Sequence, residues 1–294
     1  MTSLSVIVPV YDGMSFIPTF FRAWREQIEG KASTELILVD NGSSDGSYDY
    51  LLNLQLEYPR FEVFSYTDKQ SSYAARNAAV RRSKAPFLLF TDIDCIPNPQ
   101  WVLSAEKTAE LASAKALVAG KVSLFPRDGS FNAFEWFDCQ SFLKTDQLAL
   151  QKVGVTANLF VSRLLFEEVG GFSEMTSGSD VDFSNRAVSA GAEFAYARDM
   201  CVGHPARSTQ REVIKKIDRV ALGKAEHCRE GYGVREKLLF VSKQLFGLVI
   251  QPAWWRGLRS MVWEPRFSLG WKFRYAIISL RLWSRYRLKI LRNL

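Results

Sequence analysis

Residues 87–97 read Phe87-Leu88-Leu89-Phe90-Thr91-Asp92-Ile93-Asp94-Cys95-Ile96-Pro97. The four apolar residues at the start are typical of a central strand that is covered on both faces. The strand leads directly into two carboxylates and then into a proline, which cannot continue a sheet ladder. Because desolvated carboxylates cost free energy, acids at the exit of a buried strand indicate a role for both of them.

Asp92 and Asp94 have the chemistry of a metal site. A hard divalent cation prefers oxygen ligands and bridges carboxylates to a diphosphate, so the pair predicts a nucleotide-handling metal site at the C-terminal edge of a sheet. The alternative is a capped turn without a metal. The pattern alone is weak evidence, since the chain has a second Asp-x-Asp at residues 180–182, where it follows a helix-start signal instead of a strand.

Apolar runs alternate with helical patterns along the first part of the chain, which predicts right-handed crossovers and an α/β fold with a mostly parallel sheet. Strands are predicted at residues 4–10, 35–39, 61–66, 87–90 and 117–125, and helices at 14–27, 47–57, 73–82 and 101–113. Further along, a helix is predicted from Val181 to Ala190 and a strand from Glu193 to Ala197, with His204 in the loop that follows.

Length and composition bound the class of protein. With 294 residues and 47% hydrophobic composition, the chain can bury a full core as one large domain or as a domain plus an appendage. The four cysteines form no C-x-x-C pair, which argues against a zinc ribbon or a disulfide framework and suits a reducing cytosol. The first residues enter a strand at once and lack a secretion signal, so we expect a cytoplasmic protein.

The basic charge is confined to the C-terminal part of the chain. Residues 235–294 contain 13 Lys and Arg against 2 Asp and Glu, whereas residues 1–234 carry a net charge of −4 (25 against 29). The same stretch holds five of the eight tryptophans, namely Trp254, Trp255, Trp263, Trp271 and Trp283. This composition predicts a domain at 1–234 and a basic, Trp-rich helical tail at 235–294 that associates peripherally with the anionic inner face of a membrane. No nucleic-acid partner is expected, because the tail has no recognised nucleic-acid module and the rest is acidic.

Two other strand ends carry polar and aromatic residues. The first reads Val8-Pro9-Val10-Tyr11-Asp12-Gly13, and the second reads Val39-Asp40-Asn41-Gly42-Ser43-Ser44-Asp45-Gly46. An aromatic ring and a carboxylate at adjacent strand ends can sandwich a base and accept its ring N–H. An ordinary turn followed by a helix cap is the alternative for the second segment. The chain has neither a G-x-G-x-x-G nor a Walker phosphate loop.

Taken together, these segments resemble the family 2 glycosyltransferases, which have the GT-A fold, over about residues 4–204. The resemblance rests on the six ordered segments 6–11, 39–46, 75–77, 92–94, 170–172 and 178–183. It implies an inverting, metal-dependent glycosyltransferase of the hexosyltransferase class in polysaccharide biosynthesis, with the catalytic domain at 1–234. The implied reaction moves a sugar from a nucleotide-sugar donor, a UDP-sugar, to a hydroxyl of a glycan or lipid-linked acceptor.

The resemblance also implies roles for single residues on the donor side. Tyr11 would stack on the nucleobase and Asp40 would bind its imide N–H, with Pro9 as a further residue of the donor-binding site. Arg76 would face the diphosphate or the sugar. Asp92 and Asp94 would hold Mn²⁺ or Mg²⁺ together with the ribose. His204 would be an additional metal ligand or a diphosphate contact, although a lone histidine is often structural.

On the acceptor side, the resemblance makes Asp180 the general base, which takes the proton of the attacking hydroxyl. Asp180 could instead only cap the helix that starts at Val181. Asn158 and Phe160 lie in a segment similar to the acceptor-side loop of the family, and Trp136 could stack on an acceptor sugar. Core packing is the alternative for Phe160 and Trp136.

The chain departs from the family pattern at two positions. Ser179 stands where the family often has a glutamate before the base, and no glycine follows the Arg76-Asn77 pair. Without that glutamate, a carboxylate that could hold the acceptor or tune Asp180 is missing. The competing hypothesis is therefore a non-catalytic nucleotide-sugar-binding or scaffolding subunit of a polysaccharide assembly complex.

Overall fold

A computed structural model describes residues 3–28, 33–58, 61–231, 233–250 and 268–294 of the chain. Its contacts divide the chain into two compact units. The first consists of the described parts of residues 1–123, 145–174 and 179–204, and the second of the described parts of residues 124–144, 175–178 and 205–294. The eight strands lie in the first unit, except for the last residues of two of them.

The strands form one sheet. They are β1 (Leu4–Val10), β2 (Thr34–Asp40), β3 (Phe61–Ser65), β4 (Phe87–Thr91), β5 (Ile96–Pro97), β6 (Ala116–Phe125), β7 (Asn158–Ser162) and β8 (Glu193–Pro205). Their order across the sheet is β3-β2-β1-β4-β7-β6-β8-β5. The ladders β3-β2, β2-β1 and β1-β4 are parallel, while β7 pairs antiparallel with both β4 and β6, and β5 pairs antiparallel with β8.

The parallel strands are built from apolar and β-branched residues because helices cover them on both faces. All seven residues of β1 are buried, and so are six of the seven in β2. Val10 pairs with Asp40, and Asp40 pairs with Ser65, so the carboxyl ends of β1, β2 and β3 lie level with one another. The strand order reverses between β1 and β4, which is the position where open α/β sheets bind ligands.

Seven helices of the first unit connect and cover these strands. They are α1 (Ile17–Ile28), α2 (Ser47–Glu57), α3 (Ser72–Arg82), α4 (Trp101–Leu111), α6 (Thr145–Ala149), α7 (Arg163–Glu168) and α8 (Ser179–Ser189). The core includes Ile7, Val39, Phe90 and Leu159 of the sheet, with Ala75 and Ala79 of α3 packed against it. The small side chains of α3 allow close approach of this helix to the sheet.

The predicted α/β fold class is confirmed. The parallel strands at 4–10, 34–40, 61–65 and 87–91 lie within a residue or two of the predicted positions. The antiparallel pairing of β7 with β4 was not predicted, because pairing direction depends on the path of the chain and not on periodicity. The location of His204 in a loop was wrong, since pairing of Ile96 with Gly203 and of Pro97 with Val202 continues β8 to Pro205.

The second unit is helical. It contains α5 (Ala133–Ser141), α9 (Gln210–Gly231), α10 (Val234–Ile250) and α11 (Leu269–Arg292). Its core includes Phe137 of α5, Val213 and Ile217 of α9, and Tyr275 and Ile290 of α11. Asn132 begins α5 with a capping box, in which its side chain accepts from Glu135 N and the Glu135 side chain accepts from Asn132 N.

The division by contacts does not coincide with the predicted boundary at residue 235, because α9 packs with α10 and α11 in one unit. A catalytic role for 1–234 and a membrane role for 235–294 stay predictions. Trp254, Trp255 and Trp263 lie outside the described residues. Among the described residues, no helix combines the length and the hydropathy needed to cross a bilayer.

Candidate active site

The loops after β1 and β2 are tied together at the edge of the sheet. Asp12 Oδ1 accepts from the backbone N–H of Ser44 at 2.8 Å, and Asp12 N donates to the Ser43 hydroxyl at 3.0 Å. Met14 N donates to a carboxylate oxygen of Asp45 at 2.9 Å. Burial raises the pKa of Asp45, but the hydrogen bonds from Ser47 and Met14 outweigh this effect and lower the pKa. The Asp45 carboxylate in this contact is therefore negatively charged. The turn at residues 40–46 is therefore held in place by hydrogen bonds to the loop that follows β1.

Asp40 ends β2 and is buried, with 2% of its surface exposed. Its Oδ2 accepts from Gly42 N at 3.0 Å and from Ser43 N at 3.2 Å, while Gly42 takes a φ of 82° that suits glycine. Oδ1 is also buried, and no group of the described residues donates a hydrogen bond to it. A buried acceptor without a donor costs free energy, so this oxygen is suited to accept an N–H from a ligand.

Tyr11 lies next to this edge, just after β1, and 49% of its surface is exposed. About half of the Tyr11 surface is therefore open to a stacking partner. Pro9 is buried in β1 opposite Val39, and it lies beyond Ile7, the last residue of β1 that pairs with β4. Its missing N–H therefore leaves no gap in the β1-β4 ladder.

Asp92 follows β4 and forms an ion pair with Arg76 of α3. The Arg76 side chain is almost completely buried, and its Nη1 donates to Ser72 O at 3.2 Å. Its Nε is buried without an acceptor among the described residues. The buried guanidinium therefore holds Asp92 at the sheet edge and keeps one donor unused.

Asp94 lies two residues further on, and its Oδ2 is 3.4 Å from Nε2 of His204 near the end of β8. His204 is buried, whereas about a quarter of the Asp94 side chain (27%) is exposed. Asp94 thus lies between Asp92 and His204, the other two residues that the sequence analysis assigned to a metal.

Ligand atoms of Asp92, Asp94 and Cys95 all lie within 4.8 Å of one another. Burial and the two neighbouring carboxylates raise the pKa of the Cys95 thiol well above its ordinary value, so the thiol stays protonated. The donors that remain are carboxylate oxygens with an imidazole beside them, a set that fits Mn²⁺ or Mg²⁺.

Asp180 lies in the first turn of α8, which begins at Ser179, two residues earlier than predicted. Its Oδ1 accepts from Val181 N at 3.0 Å and from the Tyr73 hydroxyl at 3.4 Å. An N-cap side chain accepts from an N–H two or three residues further along, and Asp180 does not show this pattern. Desolvation raises the pKa of Asp180, although the N–H of Val181 and the charge of Arg76 act in the opposite direction.

Ser179, at the position of the missing glutamate, is completely buried, and its hydroxyl has no partner within the described part of the chain. A side chain in this position cannot contact an acceptor. Ser179 therefore supplies no group that could replace a carboxylate beside Asp180.

The acceptor role predicted for Asn158 is replaced by a structural one. The side chain is fully buried at the start of β7, where its Oδ1 accepts from Trp101 Nε1 at 3.0 Å. Its Nδ2 donates to Met200 O at 2.8 Å and to Lys121 O at 2.9 Å. A Cβ at Gly120 would lie only 2.3 Å from this Nδ2. The amide joins β7 to its neighbours and has no exposed surface for a sugar.

Phe160 likewise occupies a core position, whereas Trp136 is partly buried. Phe160 is fully buried and stacks on Phe87, with the ring centroids 5.2 Å apart, so the packing alternative holds and the acceptor role is wrong. Trp136 belongs to the second unit, where it packs against the helical core and makes an edge contact with Phe131. Its acceptor role stays a prediction.

The sequence interpretation missed Tyr73. Its hydroxyl meets Asp180, and its ring lies 5.8 Å from the Arg76 guanidinium carbon. The available signal was its position three residues before Arg76, which places both side chains on one face of α3.

The comparisons with known proteins agree with this geometry. The family model Glycosyl transferase family 2 matches residues 5–159, more than half of the chain. Glycosyltransferase AglE of Haloferax volcanii is 33% identical over 224 residues, which cover 76% of this chain and 73% of that protein. The poly(ribitol-phosphate) beta-glucosyltransferase of Bacillus spizizenii is 30% identical over 92 residues, which cover 31% of this chain and 14% of that protein.

Two similar solved structures are glycosyltransferase-like in fold. The mannosyltransferase PcManGT from Pyrobaculum calidifontis, in complex with GDP-Man and Mn²⁺, superposes with a TM-score of 0.63 at 18% identity, covering 99% of this chain and 85% of that one. TarS of S. aureus in complex with UDP-GlcNAc superposes with a TM-score of 0.56 at 16% identity, covering 99% and 89%. At these identities the likeness concerns the GT-A fold. The family match, the relative from Haloferax and the fold together show that this chain belongs to glycosyl transferase family 2 and is a glycosyltransferase.

Proposed function

We propose that the chain is an inverting, metal-dependent glycosyltransferase that moves a sugar from a UDP-sugar to a hydroxyl of a glycan or lipid-linked acceptor in polysaccharide biosynthesis. The observation that carries the proposal is the position of three carboxylates at one edge of the sheet. Asp40 lies at the carboxyl end of β2, and Asp92 and Asp94 follow β4, the two strands that flank β1. This edge therefore supplies both a hydrogen-bond acceptor for the nucleobase and a set of ligands for a metal.

The nucleotide half of the donor is bound by Asp40 and Tyr11. The free Oδ1 of Asp40 accepts the ring imide N–H of uracil, and the exposed ring of Tyr11 stacks on the base. Guanine also offers a ring N–H, and the similar structures contain GDP-Man in one case and UDP-GlcNAc in the other. Uracil is the smaller base and needs only the one acceptor, so UDP is the donor nucleotide that we propose.

Arg76 would bind the diphosphate half, and Asp92 and Asp94, with His204 as a third group, would hold a divalent ion beside it. When bound, Mn²⁺ or Mg²⁺ supplies positive charge that neutralises the departing diphosphate. Arg76 adds a buried cation with an unused donor, which stabilises negative charge in the same place. The carboxylates hold the donor oriented, since both follow a buried strand.

The transfer step is assigned to Asp180. The acceptor oxygen forms a bond to the anomeric carbon while the bond from that carbon to the diphosphate oxygen breaks, and the acceptor proton passes to Asp180. The raised pKa of Asp180 makes it a stronger base than an exposed aspartate and suits it to this task. A single displacement of this kind inverts the anomeric centre.

The test is donor turnover with and without manganese. Purified protein is incubated with UDP-glucose, UDP-GlcNAc and GDP-mannose, and release of the nucleoside diphosphate is measured with Mn²⁺ and with EDTA. We expect manganese-dependent release from a UDP-sugar. Binding of a donor without metal-dependent turnover under any of these conditions would favour the scaffolding subunit instead.

A further inference from the structure

The outer face of α11 carries apolar side chains in solvent. Leu269 is 85% exposed and Phe273 is 68% exposed, and Ile277, Leu280 and Leu288 are exposed as well. They recur at spacings of three, four and eight residues, which places all five on one side of the helix. We call these five residues the apolar stripe. Soluble monomers rarely leave a continuous apolar row of this kind uncovered.

Core packing does not account for the stripe. The opposite side of α11 carries the buried residues Tyr275, Ser279, Leu282, Tyr286 and Ile290, and these make the helix part of the core of the second unit. One side of α11 is therefore buried in the core of the second unit, while the apolar stripe remains exposed.

Arginines run along one border of the apolar stripe. Arg274, Arg281 and Arg292 are exposed and lie seven and eleven residues apart, so they form a second row beside the stripe. Residues 269–294 contain seven Lys and Arg and no Asp or Glu. The face therefore combines apolar and cationic chemistry without an acidic side chain.

The tryptophans of this helix are not part of the face. Trp271 stacks on Tyr275 at 5.9 Å between ring centroids, and Trp283 lies 5.8 Å from Phe137; both pack against the core of the unit. Membrane anchoring by these two tryptophans stays a prediction, and their packing against the core leaves only part of each ring available for it. The adjacent α10 adds exposed apolar residues of its own, including Leu238, Leu245 and Phe246.

We propose that this face of α11 lies in the headgroup layer of an anionic lipid bilayer, with the helix parallel to the membrane plane. The apolar stripe would enter the boundary with the acyl chains, and Arg274, Arg281 and Arg292 would meet the anionic headgroups. A second copy of the chain is a poorer occupant. A two-fold interface apposes the same patch from both copies, and here it would bring arginine rows close together without compensating acids.

The experiment is vesicle flotation of the full chain. Wild type should float with vesicles of phosphatidylcholine plus phosphatidylglycerol and remain at the bottom with phosphatidylcholine alone. The variant Phe273→Ser/Ile277→Ser/Leu280→Ser should bind the anionic vesicles on the order of 10²-fold more weakly, at low and at high salt, because it loses buried apolar area. Arg274→Gln/Arg281→Gln/Arg292→Gln should weaken binding by a similar factor at low salt, with little change at high salt, where the wild-type charge contribution is already screened.

The matched control is Leu56→Ser/Leu111→Ser/Leu150→Ser, which removes three leucines that are more than 80% exposed in the first unit. It should float like wild type. Thermal unfolding and UDP binding are measured on every variant; each should still unfold in a single transition, and UDP binding should match wild type because none of the changed residues belongs to the donor site. Vesicle binding that the stripe variant leaves unchanged would overturn the proposal. Absence of vesicle binding in wild type would do the same, as would a stripe variant that only converts a dimer to a monomer in light scattering.

Discussion

Nε2 of His204 lies 3.4 Å from Oδ2 of Asp94, so the end of β8 meets the residue pair that follows β4. The histidine is buried, and the carboxylate is partly open to solvent. This contact selects one of two histidines in the chain for a role at the site.

Replacing this histidine tests whether it supports metal binding. Because a group that ligates a metal or orients a ligand is worth about 10- to 100-fold in affinity, His204→Ala should weaken UDP binding in Mn²⁺ by this factor. Calorimetry with and without the ion measures it. The control is His227→Ala in α9, which should bind UDP as wild type does; an equal loss in both variants would contradict the assignment.

Neutralising the carboxylate pair should separate metal-dependent from metal-independent donor binding. In Asp94→Asn and Asp92→Asn, UDP affinity should no longer increase when Mn²⁺ is added, because an amide is a poor ligand for a hard cation. Asp146→Asn, which changes an exposed aspartate of α6, provides the control. An unchanged manganese effect in both site variants would mean that the ion binds elsewhere.

The free oxygen of Asp40 predicts that its replacement weakens binding of the nucleobase and not of the diphosphate. In Asp40→Asn, an NH₂ donor can replace the carboxylate oxygen that would accept the hydrogen bond from the ring N–H. UDP affinity should therefore fall about 10- to 100-fold, the value of a hydrogen bond to a charged group. Affinity for inorganic diphosphate with Mn²⁺ should not change. The exposed Asp49→Asn of α2 is the matched control. A loss for diphosphate as large as that for UDP would indicate a general collapse of the edge.

Asp180→Asn should leave donor binding intact and reduce transfer by about 10²- to 10⁴-fold, the usual contribution of a general base. Single-turnover assays at saturating UDP-sugar measure the step directly. Near-normal transfer would assign Asp180 a purely structural role.

The raised pKa of Asp180 also gives a stability test with a definite sign. The folded chain holds this proton to a higher pH than the unfolded chain, so the contribution of the group to stability is complete at low pH and decreases as the pH rises through the folded-state pKa. Asp180→Asn should therefore melt higher than wild type at neutral pH and like wild type in acid. The opposite order would contradict the pKa direction.

A buried charge cluster supports the second unit. Lys216 Nζ lies 3.0 Å and Arg207 Nη1 lies 3.1 Å from the fully buried carboxylate of Asp138. Lys216→Met should lower the free energy of unfolding by about 3 kcal/mol, because it leaves buried charge incompletely paired. Denaturant unfolding measures this, and the exposed neighbour Lys215→Met should cost little. The double variant Asp138→Leu/Lys216→Met should recover part of the loss; no recovery would show that packing and not charge is responsible.

The residues of the candidate site differ in how far the sequence could predict their positions. Asp40 ends a strand, and Asp92 and Tyr11 each follow one, and the apolar runs of these strands are visible in the sequence. Parallel strands bring their carboxyl ends to one edge. Asn158 and Phe160 looked similar in sequence, yet β7 runs antiparallel beside β4 and buries both. A strand's direction and neighbours depend on contacts between distant residues, which local patterns do not encode.

By itself, the sequence determined the α/β class, the strand ends that carry acids and the basic character of the C-terminal part, because these follow from periodicity and composition over short stretches. Only the tertiary structure decided that His204 meets Asp94, that Tyr73 meets Asp180, and that Trp271 and Trp283 face the core while Phe273 faces solvent. These relations depend on which faces of the elements pack together, and burial of apolar area across the whole chain selects that arrangement.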